Sequence, residues 1–171
     1  MLIAHLPSGY LLGRGVGARG TVMAAALLGS VAPDFDMIWF HFVDHGRVLH
    51  HEYWTHLPAF WLGIALTLLP LLYWRASRLF APAAAFLAGV FLHLILDTLV
   101  GGIMWLWPFD DRLLTLAVVP ARYDNWVLSF ILHWSFLAEL IIIALALFAW
   151  RRDTAWRRMA SGHVATDRNA R

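Results

Sequence analysis

Ionisable residues set inside long apolar stretches constrain this chain more than any other feature. Four stretches are candidates for membrane helices, which need about 20 residues each: residues 21–43, 57–74, 82–107 and 127–150. The first is interrupted by Pro33, Asp34 and Asp36, and the second holds one internal proline, Pro70. The third carries His93 and Asp97, and the fourth carries His133 and Glu139. Apolar residues make up 61% of the chain, above the roughly 45–50% of soluble globular proteins. A soluble domain with that composition lacks the polar residues to coat its surface, whereas a bilayer is itself an apolar solvent. The expected fold class is therefore all-α: a polytopic membrane helix bundle of about four transmembrane helices. The glycine-rich segment before Thr21 is expected to be an interfacial or re-entrant helix. Residues 1–156 read as a single transmembrane domain, and 157–171 as a polar, disordered tail. No cleavable signal peptide is expected, because a charged region followed by an apolar run is missing at the start.

Charge sets the expected orientation. The net charge is only +2, and all 13 cationic side chains are arginine. They cluster at the ends of the apolar stretches, which points to membrane topology and away from nucleic-acid binding. Arg14 and Arg19 precede the first stretch, Arg75 and Arg78 link the second to the third, and Arg151, Arg152, Arg157 and Arg158 follow the fourth. With four spans these groups share one side, cytoplasmic by the positive-inside rule, so both termini are expected inside. Trp39, Trp54, Trp105, Trp107 and Trp126 gather at the outer boundary, as in an aromatic belt. There is no cysteine, so any metal site must use His, carboxylate or backbone oxygen.

Three motifs carry chemistry. Ionisable groups in a bilayer cost roughly 2.5–3.5 kcal/mol each on insertion scales, so those that persist face a protein interior and act there. In Pro33-Asp34-Phe35-Asp36, two carboxylates two residues apart would repel unless a cation or a proton joins them. The alternative is a helix-capping Asp at a span boundary. In the segment from His50 to His56, His51 and His56 suit a shared site if the chain bends between them, while a solvated loop is the plainer alternative. His41 and His45 lie nearby and rank lower. His93 and Asp97 stand at i,i+4 on one helix face. They can ligate one metal, or the Asp can orient the His, or the pair can join helices by a hydrogen bond. Gly101 and Gly102 follow and allow close backbone approach. His5 is a weaker candidate, and His133 and Glu139 carry no assigned role. The donors together suit Zn²⁺, with Mn²⁺ or Fe²⁺ as alternatives, and their number leaves two metals open.

The order of these motifs resembles the bacterial YdjM-like family, described as membrane-bound metal-dependent hydrolases. The resemblance runs from His5 to about Pro108. His5 corresponds to the family's early His, Asp34 and Asp36 to its paired Asp, and His51 and His56 to its two loop histidines. His93 and Asp97 correspond to its HxxxD helix, with Gly102 and Pro108 beyond. Where the family has Arg-Gly after the first loop His, this chain has Glu52-Tyr53, so a substrate-binding Arg would come from elsewhere: Arg47, Arg112 or Arg122. The resemblance implies a bacterial inner-membrane protein with a divalent metal held by His5, Asp34, Asp36, His51, His56, His93 and Asp97. Asp34, Asp36 and Asp97 are the catalytic candidates. A site in the outer half of the bilayer favours a lipid or lipid-linked substrate, cleaved at a phosphoester by metal-activated water. The alternatives are a metal-ion or proton transporter and a non-catalytic protein with a structural metal. The oligomeric state stays open.

Overall fold

The computed structural model describes the backbone of residues 3–169 and side chains as far as Ala155. The segment 157–171, expected to be a disordered tail, lies outside the residues whose side chains are described. Helices α1 (His5–Gly15) and α2 (Gly20–Gly29) form a short hairpin. A 3-10 turn, Pro33–Asp36, leads into α3 (Met37–Phe42). Two more 3-10 turns, His50–Glu52 and Trp54–His56, lead into α4 (Pro58–Arg75), and α5 (Ser77–Asp97) follows after a single residue. A long loop then reaches α6 (Trp126–Ile131) and α7 (Trp134–Asn169). Among the described residues there is no strand, only an isolated antiparallel bridge between Ile103 and Leu114.

Among the described residues three helical segments are long and apolar enough to cross a membrane: Pro58–Arg75, Ser77–Asp97 and Trp134–Ala155. A bent pair, Gly20–Gly29 and Pro33–Phe42, meets at 52° and forms a broken fourth span or a re-entrant loop. The break falls where Pro33 has no N–H to give to the carbonyl of Gly29. The third span ends ten residues earlier than its apolar run (107 − 97). At its end the Asp97 carbonyl accepts the N–H groups of Val100, Gly101 and Gly102, and Gly102 sits at φ 78°, a conformation that favours glycine. The apolar residues beyond it fold back, with Leu116 N–H donating to Thr98 and Ala117 N–H to Leu99. Large side chains such as Leu66, Leu71, Leu145 and Phe148 point outward. In water that surface would aggregate; in a bilayer it is solvated.

The bundle has two distinct ends. Arg75, Arg78, Arg151 and Arg152 lie at one end, and the termini of α4 and α5 that carry His56 and Asp97 lie at the other. Helix α1 runs from the second end to the first. His5 Nε2 lies 3.2 Å from Asp97, and Arg14 bonds Asp153 at 3.0 Å. The first described residues and the C-terminal part of α7 therefore lie at opposite ends. Helix α1, about 16 Å long at 1.5 Å per residue, is too short to be a further pass.

Helices α2 and α5 approach so closely that glycine is required on both. A Cβ on Gly29 would stand 2.0 Å from the carbonyl oxygen of Phe86, and one on Gly89 would stand 2.5 Å from that of Ala26. This is the small-residue packing that membrane helices use. It sets the end of α2 directly against His93.

Candidate metal centre

Among the described residues eleven buried ones are polar or charged, and most of those between His5 and Asp97 surround one point. His56 and His93 are fully buried and Asp97 is 1% exposed. His56 enters from the 3-10 turn just before α4, whose shape is held by Trp61 Nε1 donating to the Thr55 carbonyl at 2.7 Å. His93 and Asp97 enter from the last turn of α5 on one face, as their spacing requires. Asp34 enters from the break after α2, His51 from the loop, and His5 from the start of α1.

The hydrogen bonds decide which nitrogen of each ring faces the centre. His93 Nδ1 lies 2.9 Å from the carbonyl of Ser30, and His51 Nδ1 lies 2.8 Å from that of Gly101. A carbonyl only accepts, so each Nδ1 donates its proton. In the neutral rings, Nε2 is then a bare lone pair. His56 Nδ1 donates likewise to Asp36 Oδ2 at 2.6 Å. The three Nε2 atoms converge on Asp97 Oδ2, at 3.0 Å for His93, 3.5 Å for His51 and 3.6 Å for His56. His5 approaches the other oxygen, Oδ1, and its ring stacks on His93 with centroids 3.7 Å apart. His56 Nε2 and His93 Nε2 stand only 3.3 Å apart. Two lone pairs and a carboxylate this close in a dry site need a shared proton or a cation between them.

The spacing suits a metal. Four atoms bound tetrahedrally at 2.0–2.1 Å to zinc stand about 3.3–3.4 Å from one another. Five of the six edges joining His56 Nε2, His93 Nε2, Asp97 Oδ2 and Asp34 Oδ1 measure 3.3, 3.0, 3.6, 3.6 and 3.9 Å, and all four atoms lie within 4.8 Å of one another. Asp34 is the open corner, with 37% of its side chain exposed against 1% or less for the other three. Asp36 stands outside this group: its Oδ2 takes both Thr55 Oγ1 and His56 Nδ1, so it holds the histidine from behind. Such carboxylate–histidine pairs orient metal ligands. If His56 is a ligand, Asp36→Asn is expected to weaken metal affinity about 10- to 100-fold while leaving the site intact, measured by competition with a chelator.

All seven residues expected to form the site lie in this region. His50, which the sequence left aside, packs on His51 with centroids 3.8 Å apart. Burial, followed by the neighbouring His51 and His56, pushes its pKa down to about 4, so it is neutral at physiological pH. With His51 and His56 it forms a second cluster of potential donors. The carbonyl of Ser30 was also missed, because backbone oxygens leave no mark on composition. Gly101 did leave a signal: a Cβ there would stand 2.3 Å from the His51 ring. Glu139 is buried on α7 and accepts the Ile3 N–H at 2.6 Å, tying the start of the chain to α7. His133 lies at the α6–α7 break and meets Ser135 Oγ at 2.8 Å.

A cavity of about 590 Å³ lies against the centre, reaching it at Asp34, His50 and His51. Its remaining walls are mostly apolar, including Met37, Val100, Val119 and Phe130. None of its lining residues is an arginine. Arg112, one of the candidate substrate-binding residues, is instead paired with Asp110 at 2.6 Å.

Fold and site together define a multi-pass helical membrane protein with a buried His/Asp cluster able to hold a metal ion. The chain belongs to the YdjM inner membrane protein family, whose model matches residues 1–163. No curated protein and no solved structure gives a significant match.

Proposed function

We propose that this chain is a membrane-embedded metal-dependent hydrolase acting on a lipid or lipid-linked substrate, with phosphoester cleavage as the leading reaction. One observation carries the proposal: near-tetrahedral donors whose most open corner, Asp34, lines an apolar cavity. A structural metal is usually enclosed on all sides, whereas a catalytic one keeps a position open. A divalent cation, zinc first, would supply Lewis acidity and a water activated near neutral pH. In this reading His56, His93 and Asp97 hold the cation, with His5 and His51 flanking Asp97. Asp36 and the carbonyls of Ser30 and Gly101 orient the rings. Asp34, facing the cavity, would accept the proton of the attacking water. The apolar walls bury the chain of the substrate and exclude bulk water. Metal analysis of the purified protein, then turnover against phospholipids and lipid phosphates, tests the proposal. Absence of bound metal after purification without chelator, or no turnover of any ester in the zinc-loaded protein, rejects it.

The orientation belongs to the same proposal. The arginine-rich end is cytoplasmic and the metal centre lies near the outer surface. Cysteines placed singly at positions 48 and 154 are expected to label from outside and inside, respectively. The reverse pattern overturns the topology.

A further inference from the structure

The cavity beside the metal centre has a second polar region, formed by Tyr123, Asp124 and Trp126 where the outer loop runs into α6. Ser129 on α6 fastens this segment: its hydroxyl accepts the Tyr123 N–H at 3.1 Å and donates to the Tyr123 carbonyl at 3.3 Å. Asn125 caps the same helix by accepting from Val127 N–H and Leu128 N–H, so the stretch is anchored at both ends. A carboxylate beside a tyrosine and a tryptophan is the chemistry that receives an ammonium group, by charge and by cation–π attraction. The cavity lining offers a phosphate no arginine, so its charge would have to be met at the metal centre. With a cation held at the centre, the lining would offer an anion-accepting region there and an acidic, aromatic region at α6, with apolar walls besides.

We propose that the substrate head is zwitterionic: a phosphoester met at the metal centre, bearing an ammonium group that Asp124, Tyr123 and Trp126 receive. This rests on the hydrolase reading for the phosphoester and adds the identity of the group attached to it. The ammonium can belong to an aminophospholipid head or to a soluble phosphoamine, and the two sources are separated by experiment.

The full-length, zinc-loaded protein is presented with vesicles containing equal phosphatidylethanolamine and phosphatidylglycerol, and head-group release is followed for each. In parallel, binding of soluble phosphoethanolamine and glycerol phosphate is measured by calorimetry. The ammonium-bearing form is expected to be preferred by about threefold to thirtyfold, the span of a cation–π contact. That preference should be lost in Asp124→Asn and Trp126→Ala and retained in Asp111→Asn, an exposed aspartate outside the cavity. Preference in vesicles alone assigns the lipid as the source, and preference in calorimetry assigns the free phosphoamine. Preferential binding without release of any head group upholds the ammonium site and rejects hydrolysis. Equal handling of both heads, or a preference unchanged in Asp124→Asn, overturns the ammonium site even if hydrolysis is found.

Discussion

Asp97→Ala is expected to yield a protein that inserts and purifies normally but carries no stoichiometric metal and no activity. Asp97 receives His93, His56 and His51 on one oxygen and His5 on the other. Its removal takes away the single anion around which four imidazoles are arranged. The loss should be complete within assay range, whereas removing an orienting partner such as Asp36 costs only about 10- to 100-fold in affinity. Insertion is spared because the change makes α5 more apolar. His56→Ala should behave in the same way. His41, exposed on α3, is the control, and His41→Ala should keep both metal and activity. Metal analysis and turnover on the three variants check this. If Asp97→Ala and His56→Ala are lost to aggregation instead, the metal's role is folding, because its binding energy is then folding energy.

Gly29→Ala is expected to be the most damaging substitution away from the donors. The new methyl would meet the Phe86 backbone at 2.0 Å. Backbone cannot rotate aside as a side chain does, so α2 and α5 must separate. Overpacking of this kind costs typically about 1–3 kcal/mol, and occasionally more. Separation also draws the Ser30 carbonyl away from His93 Nδ1, the bond that aims His93 Nε2 at the centre. Thermal stability and metal affinity should therefore fall together. Gly63→Ala, at a position on α4 with nothing within 4 Å, should leave metal affinity unchanged and stability equal or higher. A stable Gly29→Ala variant with full metal affinity would show that the close approach is not needed.

Much of the fold was legible in the sequence because the bilayer imposes a simple rule. Backbone groups must be satisfied within each segment, so long apolar runs become helices. Pro33 marked the break in the first span, whereas the stop after Asp97 was not read, because the apolar run continues to Trp107. The helical start at His5 was harder to read. Its glycines lower helix propensity, and what holds α1 is packing: a Cβ on Gly9 would stand 2.2 Å from Ser30 Oγ.

For the site, residue type and cost in lipid were enough to nominate Asp34, Asp36, His51, His56, His93 and Asp97, and the family resemblance added His5. The i,i+4 spacing of His93 and Asp97 was enough to place those two on one face. The sequence alone determined that this chain lives in a membrane and carries more ionisable groups than a bilayer tolerates unpaired. Only the tertiary structure decided that Asp36 stands behind His56 while Asp34 faces the cavity, two residues apart on one turn. Only it decided that three histidines turn Nε2 inward, because the partners that hold their Nδ1 protons are Asp36 and the backbone oxygens of Ser30 and Gly101. Covalent order sets which residues are near in sequence. Which lone pair faces which is set by helix packing, and here the packing depends on glycines that let α2 lie against α5.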